Sequence, residues 1–144
     1  MNTIPIVPVQ GTSPTMVEAV IAEVAARLER LVADPTYQDA IDIHGLPLDD
    51  RQRDVLRERL GQGEVDARLD VAGSSRITET GFAGVWWVSH LDASERPVLE
   101  QIVIARVPDL LPAHPADIAL AAARLAGRTG APVPTAPPTE CAND

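Results

Sequence analysis

The chain has 144 residues, 45% hydrophobic, 23% charged and 3% aromatic, a composition that fits one globular domain. Asp and Glu number 21 against 12 basic residues, every one of them Arg, giving a net charge of −9. That balance argues against nucleic-acid binding through phosphate neutralisation, and the lack of Lys excludes a P-loop and a Schiff-base lysine.

The opening stretch 4–9 is extended by Pro5 and Pro8 and fits only an edge strand. It has no basic leader region, and no run reaches the roughly 18 apolar residues of a membrane span, so a cytoplasmic protein without membrane insertion is expected. Two helix starts follow, Ser13-Pro14 and a Thr15–Glu18 capping box. Val17, Val20, Ile21, Val24, Leu28 and Leu31 then predict an amphipathic helix ending before Pro35.

Ile41 and Ile43 alternate with polar neighbours as a short strand over 41–44. Asp49 or Asp50 caps a second helix through Leu60, with Gly61 as its stop. Only Val55, Leu56 and Leu60 are apolar there, which predicts a solvated, peripheral helix. Residues 63–71 alternate as a strand, with Val65, Ala67, Leu69 and Val71 on one face. Residues 76–91 read as one longer strand in which Gly81 and Gly84 mark a bulge or a close backbone approach. Residues 98–107 carry the run Ile102 to Ala105, the pattern of a central strand. Pro115 starts a third helix through Ala126, with Ile118, Ala121, Ala122 and Leu125 inward and Gly127 as stop. The fold class is α+β: a mainly antiparallel sheet with the first and last helices packed on one face. A single domain over 1–127 is followed by a flexible Pro-rich tail over 128–144.

Candidate chemistry is sparse. His44, His90 and His114 are far apart and have no ligand spacing, so surface or strand-end histidines outweigh a metal site. The lone Cys141 cannot form an intramolecular disulfide. Glu64 and Glu79 fall on strands that can pair, which would suit acid–base chemistry, yet solvated or Arg-bonded carboxylates are the ordinary reading. No serine has a nucleophile-elbow context. The unusual feature is 82–87, which holds three of the four aromatic residues; Trp86 and Trp87 must point to opposite faces of a strand. One enters the core, and the other needs a helix, a tail or a partner to cover it.

Leu60-Gly61-Gln62-Gly63-Glu64-Val65 followed by Glu79-Thr80-Gly81-Phe82-Ala83-Gly84-Val85-Trp86 resembles the signature of hydrogenase expression/formation proteins of the HupH/HyaF type, in their C-terminal conserved region. The chain is most similar to the short, single-domain HupJ/HoxT type. Trp87 departs from the polar or basic residue expected there. The resemblance implies a non-enzymatic accessory protein, without a cofactor, for maturation of membrane-bound nickel–iron hydrogenase. The implied partner is the iron–sulfur small-subunit precursor before twin-arginine export, with other hydrogenase accessory proteins as further partners. A structural adaptor or homo-oligomer in an assembly complex is the alternative, and the oligomeric state stays open. The expected contact residues are Gly61 and Gly63 for backbone geometry, Glu64, Glu79 and Thr80 for polar contacts, and Phe82, Gly84, Trp86 and Trp87 on the apolar strand.

Overall fold

The computed structural model describes residues 15–70 and 73–130. The extended opening, the Ser13-Pro14 start, Val71, residues 131–144 of the tail and Cys141 lie outside the described residues. The chain divides between Pro108 and Asp109 into two compact units.

In the first unit, α1 (Met16–Ala33) starts at the Thr15–Glu18 capping box, with both reciprocal bonds made. Val17, Val20, Val24 and Leu31 are buried along one stripe. α2 (Asp50–Leu60) starts at a second capping box, between Asp49 and Gln52, and ends at Gly61 with φ +71°. Five strands, β1 (Asp39–Asp42), β2 (Asp66–Asp70), β3 (Ser74–Glu79), β4 (Val85–Leu91) and β5 (Pro97–Ile104), form one antiparallel sheet in the order β1-β5-β4-β3-β2.

Cross-strand register places Ile41, Ile102, Trp87 and Thr78 in one row of one face. The row beside it includes Val85 and Ile104. These side chains cluster with the buried residues of α1 and with Leu56 and Leu60 of α2, so α1 and α2 pack on the same face. Trp86, Val88 and Ile77 alternate onto the opposite face and are also buried. Arg27 joins α1 to β1, 3.0 Å from Asp39 Oδ2 and donating to Ala40 O at 3.0 Å.

Two expectations need correction in this unit. Residues 76–91 are two strands, not one: Thr80 to Gly84 make a turn and β3 pairs back on β4. The turn into β4 passes through Gly84 at φ +83°, a conformation that favours glycine. α2 is not peripheral. Leu56 and Leu60, one turn apart, are 0% and 3% exposed, and two stacked leucines anchor an otherwise charged helix in the core.

In the second unit, α3 (Pro115–Thr129) is capped by His114, whose Nδ1 accepts from Ala116 N–H at 3.2 Å. It passes through Gly127 and ends at Gly130, a left-handed C-cap. An isolated helical glycine lowers helix stability by about 1 kcal/mol but does not break the hydrogen-bond ladder. The face expected to turn inward is not buried: no residue of α3 is.

Candidate functional site

The two halves of the motif, separated by residues 66–78, are bonded into one joint. Gly63 N–H donates to Glu79 O and Glu79 N–H to Val65 O, both at 2.8 Å. Gly81 N–H donates to Leu60 O at 2.8 Å. Glu79 Oε2 accepts the backbone N–H of Glu64 at 3.3 Å. Glu79 therefore fixes the turn that carries Glu64, whose own side chain is exposed.

Several motif residues meet steric demands. A Cβ on Gly63 would lie 2.6 Å from Thr80 O and 2.7 Å from Glu79 Oε2, so no side chain fits without moving backbone. A Cβ on Gly84 would lie 3.0 Å from Leu31 Cδ2, where the turn passes under α1. Thr80 is buried; its hydroxyl donates to Val85 O at 2.8 Å and accepts Phe82 N–H at 3.2 Å, closing the β3–β4 turn. Phe82 at the tip of that turn is 51% exposed.

Both tryptophans are buried within the chain itself. Trp86 donates through Nε1 to Ala105 O at 3.0 Å. Trp87 donates to Glu100 Oε2 at 2.9 Å, and the Arg57 guanidinium carbon lies 5.0 Å from the centre of its ring. Trp87 forms the floor of an open cleft of about 380 Å³ between α2 and β3. Asp54, Arg57 and Glu58 come from α2, Gly61 and Gln62 from its exit, and Arg76, Thr78, Glu79 and Thr80 from β3 and its end. A second cleft of about 350 Å³ shares Asp54, Arg57 and Trp87 with the first and is completed by Asp50, Arg53, Pro97 and Glu100.

The electrostatics are mixed in sign. Arg76 grips Asp66 through two bonds, at 2.6 and 3.1 Å, and holds that carboxyl below its usual range. Arg53 Nε is buried with no acceptor. Carboxylates and guanidinium groups around an aromatic floor suit the backbone and polar side chains of a polypeptide segment. Among the described residues, no three His, Cys, Asp or Glu side chains group to hold a metal ion. Of the histidines, His90 bonds Ser75 Oγ at 2.7 Å, His114 caps α3, and the backbone N–H of His44 donates to Asp42.

The structure thus places Gly61, Glu79, Thr80 and Trp87 in the lining of the cleft, with Gly63 and Glu64 bonded to Glu79 beside it and Phe82 at the tip of the β3–β4 turn, outside the lining. Gly84 and Trp86 lie away from the cleft, under α1 and on the opposite sheet face. Arg57 and Glu100 were missed as site residues. A signal existed for Glu100: it continues the Ile102 and Ile104 alternation, a charge on the apolar face of a strand.

Residues 15–131, which include both motif halves, match the family described as HupH hydrogenase expression protein, C-terminal conserved region. The chain belongs to this family. The HupH-family chain is 32% identical over 116 residues to the hydrogenase expression/formation protein HoxQ of Azotobacter vinelandii, covering 80% of this chain and 39% of that protein. It is 32% identical over 95 residues to the hydrogenase-1 operon protein HyaF of Escherichia coli strain K12, covering 65% of this chain and 33% of the relative. It therefore spans between 33% and 39% of the length of these two relatives. A solved structure, the hydrogenase expression protein HupH from Thiobacillus denitrificans ATCC 25259, is 35% identical with a TM-score of 0.74, covering 79% of this chain and 94% of that one.

Proposed function

We propose that this HupH-family chain is a non-enzymatic accessory protein in nickel–iron hydrogenase maturation, holding the iron–sulfur small-subunit precursor in the cytoplasm before twin-arginine export. The observation that carries this reading is the convergence of both motif halves on one open cleft floored by Trp87. The names of the relatives, hydrogenase expression/formation proteins and a hydrogenase operon protein, support the process. Phe82, Glu64 and the Gly61–Gln62 backbone are the contact groups; Glu79 shapes the mouth; Gly63, Thr80, Gly84 and Trp86 hold the frame. A chain of net charge −9 also draws an arginine-bearing signal segment toward it at low salt.

The test is capture by the tagged chain from hydrogenase-producing cells, probed for both subunits. The small-subunit precursor is expected in the capture. Phe82→Ala is expected to weaken it about tenfold with an unchanged melting temperature, since the ring is half exposed. Deleting the signal segment is expected to weaken it as well. Retention of neither subunit, or capture indifferent to Phe82, overturns the reading.

A further inference from the structure

We propose that α3 is a self-association element, pairing with α3 of a second copy of this chain in an antiparallel, two-fold arrangement. A fifteen-residue helix with no buried side chain is marginal in water and gains its stability from packing an apolar face. α3 has such a face. Ile118, Ala121, Ala122 and Leu125 follow at spacings of three, four and seven, and Ile118 and Leu125 are 56% and 64% exposed.

Charge selects the occupant and its direction. Asp117, Arg124 and Arg128 fall along one edge of that face, acidic at the start of the helix and basic at its end. Centre a two-fold axis between Ala121 and Ala122. Ile118 then lies opposite Leu125 of the second copy, and Ala121 opposite Ala122. The charged edge meets its own reversed copy, bringing Asp117 within reach of Arg124 and Arg128 of the second chain. In a parallel pair the same edge would face Ala119 and Ala126, which offer no charge. Ala121, Arg124, Leu125 and Arg128 line a hollow of about 260 Å³, where that Asp117 and the neighbouring Ile118 enter. The acidic residues of 109–130, Asp109 and Asp117, are balanced by Arg124 and Arg128, so two chains of net charge −9 meet through a neutral segment.

The experiment uses the full chain, with sedimentation equilibrium across concentrations from about 10 µM to about 1 mM, because the small face predicts a weak dimer. A monomer–dimer equilibrium is expected. Asp117→Arg should raise the dissociation constant about tenfold, and reversing all three charges (Asp117→Arg, Arg124→Asp, Arg128→Asp) should restore it. In a Cys141→Ser background, Ala122→Cys should cross-link the dimer, as symmetry mates there are about 1.5 Å apart along the axis. Ile118→Cys should not, because its mates are about 10 Å apart along the axis. A monomer at every concentration, failure of the triple reversal to restore pairing, or equal cross-linking at both cysteines overturns the proposal.

Discussion

Replacing Trp87 with Phe isolates the bond at the base of the cleft. The indole N–H is the recorded donor to Glu100, a carboxylate only 8% exposed. Phe removes the donor and leaves a buried charged acceptor unserved, at about 1.5–3 kcal/mol. The smaller ring adds about 1–2 kcal/mol for the void beside Leu56 and Ile102. Together Trp87→Phe should cost roughly 2.5–5 kcal/mol, a large share of the 5–15 kcal/mol typical of a domain. Glu100→Gln keeps an acceptor and exchanges a charge-assisted bond for a neutral one, costing about 1 kcal/mol. In the double variant no charge is stranded, so the cost should fall about 1–2 kcal/mol short of the sum. Urea unfolding followed by far-ultraviolet circular dichroism and by tryptophan fluorescence, which comes from Trp86 alone in the two Phe variants, measures all four corners. Costs that add to within about 0.5 kcal/mol would show that the Trp87–Glu100 bond does not govern this site.

Gly63→Ala should lower stability by about 2 kcal/mol or more, because its new carbon meets backbone oxygen 2.6 Å away. Faster amide exchange at Gly63 and Glu79 checks it, and a stability change under about 0.5 kcal/mol would refute the steric account. The chain should also lose stability in acid. Asp39 is held below the usual carboxylate range by the Ala40 N–H, the Tyr37 hydroxyl and Arg27, and Asp66 by Arg76. Each folded value lies below the unfolded one of about 3.9, so the stabilisation is present above that pH and is lost as pH falls through the folded value. All these groups face solvent, so the expected change is a modest drop in melting temperature below about pH 4, smaller in Asp66→Asn. A flat profile from pH 5 to pH 3 would contradict it.

Period-two alternation located β1 and β2, the apolar run Ile102 to Ala105 located β5, and cap chemistry located the starts of α1 and α2 and the end of α2. The β3–β4 turn escaped because its flanks are strand-forming residues and it lacks the Asn-Gly or Asp-Gly pair of tight hairpins. Its closure comes from backbone bonds of Val85 with Thr80 and Phe82, reinforced by the Thr80 hydroxyl and the left-handed Gly84, none of which is a two-residue turn signal. α2 was undervalued because hydropathy averages over the helix, whereas burial depends on where two leucines stand. α3 shows the opposite error. Its apolar spacing predicts an inward face, yet no residue of α3 is buried: a spacing states that a face is apolar and not what covers it.

The candidate site divides in the same way. The motif was legible because steric necessity writes itself into residue type: Gly63 and Gly84 where no carbon fits, Thr80 where one hydroxyl must bond both sides of a turn. The backbone bonds of Gly63 and Val65 with Glu79, and of Gly81 with Leu60, lock the exit of α2 to the end of β3, and α2 and β3 are the walls of the cleft. The motif therefore sets the spacing of the walls, on which its own Gly61 and Gln62 stand beside Arg57 and Arg76. Arg57 and Glu100, 43 positions apart, come together only through pairing with Trp87, which no local pattern encodes. Changes of specificity should accordingly map to Arg57, Gln62 and Arg76, on the walls but outside the motif's buried frame. Changes at Gly63, Thr80 or Gly84 should alter every partner together by moving the walls.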